Sequence, residues 1–209
     1  MLLYSRQVTL TGSPRKTMPW AMDITAYVNA HSPLDVSLWS ATFGVPIGSL
    51  AWSAVVESQE QLATATAALI ADEGYLDRID AAADFVTTPG QDTLQDLIYG
   101  TATEPEAVGA VAQVTTALAV VDELAAAVGF AVEIAQHIEG VIGSPIMVLT
   151  GLYGPMGSIS WIGVSPDMAA ADSARAKMLT DETYLSRVAK TKGLFIPGSG
   201  TVVQAVRIA

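Results

Sequence analysis

Apolar side chains recur along this chain in two styles, strand-like runs and helix-spaced stripes, and the order of those styles appears twice. Residues 2–11 and 108–119 are rich in Val, Thr and Leu and predict strands. Past 122 the spacing changes: Leu124, Val128, Ala131, Ala135 and Ile138 fall on one helical stripe, with Asp122 as its cap and Gly140 as its stop. The matching first-half helix starts at Ser13 before Pro14, or at Thr17 before Pro19, and runs to about Asn29. Two hairpins follow these helices, 34–43 with 50–56 and 146–153 with 159–164. Their connectors, Gly44-Val45-Pro46-Ile47-Gly48 and Gly154-Pro155-Met156-Gly157, carry turn chemistry, since Pro fixes φ and Gly supplies positive φ. Strong helix formers then occupy 59–71 after Ser58, and 168–179 after Ser165-Pro166-Asp167. Short amphipathic turns with Tyr75, Leu76 and Ile79, or Tyr184, Leu185 and Val188, lead through Pro-Gly loops to last strands at 93–101 and 201–208.

The two passes are similar in residues as well as in style. Gly48-Ser49-Leu50-Ala51-Trp52 reappears as Gly157-Ser158-Ile159-Ser160-Trp161, a shift of 109 positions (161 minus 52). At the same shift Asp72-Glu73-Gly74-Tyr75-Leu76-Asp77-Arg78-Ile79 meets Asp181-Glu182-Thr183-Tyr184-Leu185-Ser186-Arg187-Val188. A repeat in that order predicts a tandem duplication of α+β class: residues 1–102, a linker at 103–107, and residues 108–209. Each half is a ferredoxin-like β-α-β-β-α-β unit.

Both helices of such a unit cover one face of its sheet and leave the other bare. The hairpins carry apolar residues on both sides (Leu38 and Trp39, Val148 and Leu149), so the bare face also expects cover. The predicted solution is two antiparallel sheets packed bare face to bare face, an intrachain pseudo-dimeric α/β barrel. The chain resembles the dimeric α/β-barrel superfamily. The pattern Gly-Ser-(apolar)-x-Trp, a helix, then Asp-Glu-x-Tyr-Leu-x-Arg is similar to NIPSNAP-like members, with Trp52, Trp161, Tyr75-Leu76 and Tyr184-Leu185 in the family's places. That resemblance implies the fold more than an activity, because the superfamily holds monooxygenases, heme-handling enzymes, decyclases and proteins of other roles.

Composition narrows the function classes. A net charge of −11 with no basic run excludes nucleic acid and anionic membrane surfaces as expected partners. The absence of cysteine excludes disulfides, thiolate-bound metals and thiol catalysis. Residues 140–166 carry no charge, but repeated Gly and Pro make them two buried strands about a turn rather than a membrane span. With no signal sequence at Met1-Leu2-Leu3-Tyr4, a cytoplasmic setting is expected.

Candidate chemistry is sparse. His137 lies one turn beyond Glu133, a geometry suited to a base oriented by a carboxylate or to a simple surface pair. His31 sits at a helix end before Pro33, where it complements the helix dipole. Arg78 and Arg187 match by the repeat and are expected to pair with local acids. Arg6 and Arg207 interrupt apolar strands, either as edge residues or as anion anchors in a cavity. Trp39, Trp52, Trp161 and Tyr153 gather on the hairpins, as core or as the wall of a site for a flat apolar ligand. Glu104-Pro105-Glu106 brings two carboxylates together in the linker. No metal site and no cofactor are expected.

Two readings follow. In the first the protein is a non-catalytic ligand-binding or structural protein that self-associates into a homo-oligomer, with a small apolar ligand as the other expected partner. In the second it is a cofactor-light monooxygenase or isomerase acting on a small aromatic or polyketide-like substrate inside the barrel. There Tyr153, His137, Glu133, Trp39 and Arg6 are the candidate residues.

Overall fold

A computed structural model of the chain describes residues 1–86, 89–101 and 106–209. The first half runs β1 (Leu2–Thr9), α1 (Pro14–His31), β2 (Ser37–Phe43), β3 (Ser49–Val56), α2 (Gln59–Ile70), α3 (Glu73–Asp80) and β4 (Gln91–Tyr99). The second runs β5 (Val111–Leu118), a 3-10 turn (Val121–Glu123), α4 (Leu124–Ile142), β6 (Ile146–Gly151), β7 (Ser158–Ser165), α5 (Met168–Thr180), α6 (Glu182–Ala189) and β8 (Thr201–Arg207). Of the expected linker at 103–107, only Glu106 and Ala107 fall among the described residues, so Glu104 and its carboxylate pairing lie outside them.

The strands form one closed antiparallel barrel in the order β1-β3-β2-β8-β5-β7-β6-β4. This corrects the expected fold class. The two ferredoxin-like sheets packed face to face do not occur; β2 bonds to β8 and β4 to β6, edge to edge, so the eight strands make a single wall. Closure removes the unpaired N–H and C=O groups that open edges would leave.

The physical reason lies in the alternation of side chains along each strand. On β1 and β3 the register sets Arg6 opposite Trp52 and Val8 opposite Leu50, and Trp52 Nε1 donates to Thr25 Oγ1 on α1 at 2.7 Å. The apolar face is thus covered by its own half's helices. The other face, expected to be greasy and shielded by the sister sheet, lines the barrel interior and mixes apolar residues such as Leu3, Val55, Leu97, Leu149 and Ile162 with small polar ones. There Gln95 Nε2 donates to Ser160 Oγ at 2.8 Å, Ser160 bonds Thr116 at 2.9 Å, and Trp39 Nε1 donates to Ser53 Oγ at 2.9 Å. Buried polar atoms so bonded are a stable filling for a narrow barrel.

The helices follow their local signals with two corrections. Ser13 caps α1, accepting from Arg15 N–H, and Ser58 and Asp167 cap α2 and α5. Asp122 falls in the 3-10 turn instead of capping α4, and α4 begins without a side-chain cap. It also runs through Gly140 and ends at Gly143, whose φ of +79° suits a residue without Cβ. The amphipathic turns are full helices, α3 and α6, capped by Asp72 and Asp181. The uncharged stretch 140–166 is the β6–β7 hairpin with the end of α4, as its Gly-Pro content indicated. Helix α4 itself is long and apolar enough to cross a membrane; Ala127, Ala131, Ile134 and Ala135 bury its face against the sheet.

Candidate functional site

The second half holds a cavity of about 270 Å³ between the outer surface of the barrel and its covering helices. Its size lies just below the usual range for small-molecule sites. The floor is the outward face of β5 (Val111, Gln113, Thr115 and Ala117) beside Trp161 and Gly163 of β7. Phe130, Ile134 and Ile138 of α4 form one wall, and Ala171, Ala174, Arg175 and Met178 of α5 another. Tyr184, Val188 and Phe195 close one side.

Local sequence explains the space. Residues on β5 are small, and Gly163 removes a side chain from the floor; a Cβ there would come within 2.9 Å of Ile146 Cδ1. Helix α5 has no buried residue, whereas its first-half counterpart α2 buries Ala65 and Leu69. Trp161 is oriented by its Nε1–H, which donates to Ala131 O at 3.0 Å, and by edge contact with Phe195 at 5.9 Å between ring centroids. Gln113 pairs across strands with Gln204, whose Oε1 is buried without a partner.

The chemistry of the lining is apolar with a few polar points, Gln113, Thr115, Ser165, Arg175, Tyr184 and Thr191. Arg175 is its cation, and Asp172 stands 4.0 Å away. Among the described residues no carboxylate or imidazole lines the cavity.

In the barrel interior, expected to hold the ligand, Ser5, Ala51, Ser53, Gln95, Val114 and Thr116 are half-buried. A void of about 10 Å³ lies at one end beside Met1, Leu97, Met147 and Leu149, too little for an organic molecule.

Of the residues singled out from sequence, Trp161 lines the cavity. Trp52 is buried in the first-half core, and Trp39 faces the barrel interior. Tyr153 is exposed on the β6–β7 turn, its hydroxyl donating to Gln59 Oε1 at 2.8 Å. Arg6 forms a two-pronged pair with Asp92, Nε to Oδ1 at 2.7 Å and Nη2 to Oδ2 at 2.8 Å, which holds the Asp92 carboxyl below the usual range. Arg207 Nε donates to Ala209 O at 3.0 Å.

His137 does not engage Glu133. Its Nε2 lies 2.7 Å from Oδ1 of Asp181, the cap of α6, and that bond leads the causes that lower the Asp181 pKa. The exposed Glu133 offers its backbone carbonyl to Arg187 at 3.3 Å. His31 stacks on Tyr27, with ring centroids 3.9 Å apart, and its Nδ1 lies 2.9 Å from the Tyr27 carbonyl. Arg78 pairs with Asp23 at 2.7 Å and lies over the Tyr27 ring. Sequence reasoning missed Gln113, Thr115 and Arg175. A signal existed: at a shift of 109, β1 carries Leu2, Tyr4, Arg6 and Val8 where β5 carries the smaller Val111, Gln113, Thr115 and Ala117.

Solved structures share this architecture. A candidate monooxygenase from Fusobacterium nucleatum superposes with a TM-score of 0.74 at 10% identity, covering 100% of this chain and 92% of that one. The likeness is one of fold. An anthrone oxidase-like protein matches with a TM-score of 0.65 at 15% identity over 98% of this chain and 91% of its own. A heme-degrading enzyme from Listeria monocytogenes matches with 0.54 at 6% identity over 99% of each. No family model matches the sequence, and no curated protein does. A histidine-ligated heme does not fit the cavity, because no imidazole lines it and both histidines are bonded elsewhere.

Proposed function

We propose that the chain is a cofactor-independent oxygenase acting on a small, flat, self-ionising aromatic such as an anthrone or a polyketide-derived phenol. The observation that carries this reading is the one-sided apolar cavity over Trp161, with hydrogen-bonding side chains confined to Gln113, Thr115, Ser165, Arg175, Tyr184 and Thr191. An apolar slot with few polar points orients a planar ring system. Since no base lines it among the described residues, the substrate must be acidic enough to lose its proton to solvent before it enters, and it binds as the anion. The Arg175 guanidinium then steadies the resulting anion. Trp161 provides the stacking surface, and α4 and α5 keep water from the reacting carbon. For an anthrone the balance is a methylene and dioxygen giving a ketone and water. The fold shared with a candidate monooxygenase and an anthrone oxidase-like protein favours this reading over the non-catalytic one.

Oxygen uptake with anthrone as substrate tests the proposal. Saturable uptake that falls at least ten-fold in Ala117→Phe, which fills the floor, is expected. Binding without uptake would return the protein to a non-catalytic ligand carrier, and no binding would remove the site. We further propose that the halves descend from one duplicated, NIPSNAP-like unit and act as one folding unit, which the ordered matches at a shift of 109 support. A cytoplasmic homo-oligomer is proposed with them; the repeated exposed apolar positions Ile70, Leu76 and Ile79 against Leu179, Leu185 and Val188 support self-association.

A further inference from the structure

We infer that each chain binds one ligand and not two, because Tyr4 and Arg6 on β1, with Asp92 on β4, occlude the first-half copy of the cavity. The inference rests on the reading that the second-half cavity is a ligand site. Strand register defines the copy without reference to ancestry. Arg6 stands opposite Trp52 on one side and Asp92 on the other; Thr115 stands opposite Trp161 and Val202 in the same way. The cavity floor therefore has a counterpart, position for position, on the outward face of β1.

That counterpart is filled from below and above. Tyr4 replaces Gln113, Arg6 replaces Thr115, and Val8, which is buried, replaces Ala117. The Arg6 guanidinium is held flat by its two bonds to Asp92, where the second half has the exposed Val202. From the helix side Trp20 packs edge-on against Trp52 at 6.0 Å and Phe85 at 5.0 Å, and α2 presses Ala65 and Leu69 into the sheet. Both members of the ion pair keep more than two fifths of their side chains exposed, and such pairs stabilise little. The main consequence of the pair is the volume it occupies.

Calorimetric titration with 2-naphthol tests this. The wild-type chain is expected to bind one equivalent. Transplanting the second-half residues, Y4Q/R6T/D92V, is expected to raise that to two. The reciprocal T115R/V202D is expected to abolish binding, and it decides the matter if the triple variant does not fold. A triple variant that folds and still binds one equivalent overturns the inference, as does undiminished binding by T115R/V202D. If wild type binds no 2-naphthol, the failure belongs to the ligand-site reading. A crystal structure of the triple variant then judges the occlusion alone: a first-half cavity similar in size to the existing one upholds it, and collapse of Trp20 and Trp52 into the space refutes it.

Discussion

Tyr27 on α1 and His137 on α4 occupy the same place in their halves and bond the same kind of partner, the aspartate that caps the following short helix. Tyr27 hydroxyl donates to Asp72 Oδ1 at 2.7 Å, and His137 Nε2 lies 2.7 Å from Asp181 Oδ1. Two unlike rings thus brace one helix start, which accounts for His137 without catalysis. His137→Ala should lower Tm by roughly 2–4 °C, the size expected for one lost hydrogen bond in a chain of this length. His137→Tyr should keep most of that stability in the same thermal melt. The bond holds the folded Asp181 carboxyl below its ordinary pKa. Its stabilisation is therefore complete above about pH 4, the unfolded value, and fades as pH falls below it. Acid unfolding of His137→Ala should show a shallower pH dependence in that window. Tyr4 shifts the other way: burial, opposed by Arg6 and aided by Asp92, pushes its hydroxyl up to about 12. A raised pKa means stability present below about pH 10 and lost as pH rises from there towards the folded value. The hydroxyls of Tyr27 and Tyr99 are also raised, by their bonds to Asp72 and Glu139. Ultraviolet titration should therefore show several tyrosines ionising late, and Tyr4→Phe should remove the latest of them.

Among the elements, α5 and α2 share a position and differ in seating. Helix α2 buries Ala65 and Leu69, while α5 buries nothing and roofs the cavity. Few buried contacts predict easy local opening. Amide exchange should be faster in α5 than in α2, and a cavity ligand should slow α5 selectively; equal protection in both helices would contradict the seating described here. Leu62 on α2 corresponds to Ala171 on α5 at the shift of 109, so Ala171→Leu supplies side-chain volume that the first half already accommodates. Partial burial of the added carbons should stabilise by about 1 kcal/mol in chemical denaturation. The same change should weaken ligand binding at least ten-fold by filling the roof. Element boundaries show why spacing alone was insufficient for α4. Its stripe was legible, but whether Gly140 or Gly143 ends it depends on which glycine adopts positive φ, and that is settled where the chain turns towards β6.

At the scale of the whole molecule, the barrel is held by two seams between the halves. Each half alone would expose β2 and β4, or β6 and β8, as open edges, since β2 pairs with β8 and β4 with β6. A chain of residues 1–101 should therefore elute as a dimer that rebuilds two such seams, or aggregate. A stable monomer by light scattering would show that the seams are dispensable.

The order of strands and helices, the hairpin turns and the helix start after Ser58 are local consequences of side-chain spacing and Gly-Pro placement, and the sequence alone determined them. It narrowed the start of α1 to Ser13 or Thr17 and that of α5 to Ser165-Pro166-Asp167. Turn and cap chemistry acts within a few residues, so it can be read without knowing what lies across the fold. Where the sheet edges go is a long-range matter. Both face-to-face packing and edge-to-edge closure shelter the same apolar runs, and only the assembled register decided for the closed barrel with Ser160, Gln95 and Thr116 inside. The site belongs to that second kind. A cavity is the difference in volume between surfaces brought together from β5, α4 and α5, and no single segment of the chain contains that difference.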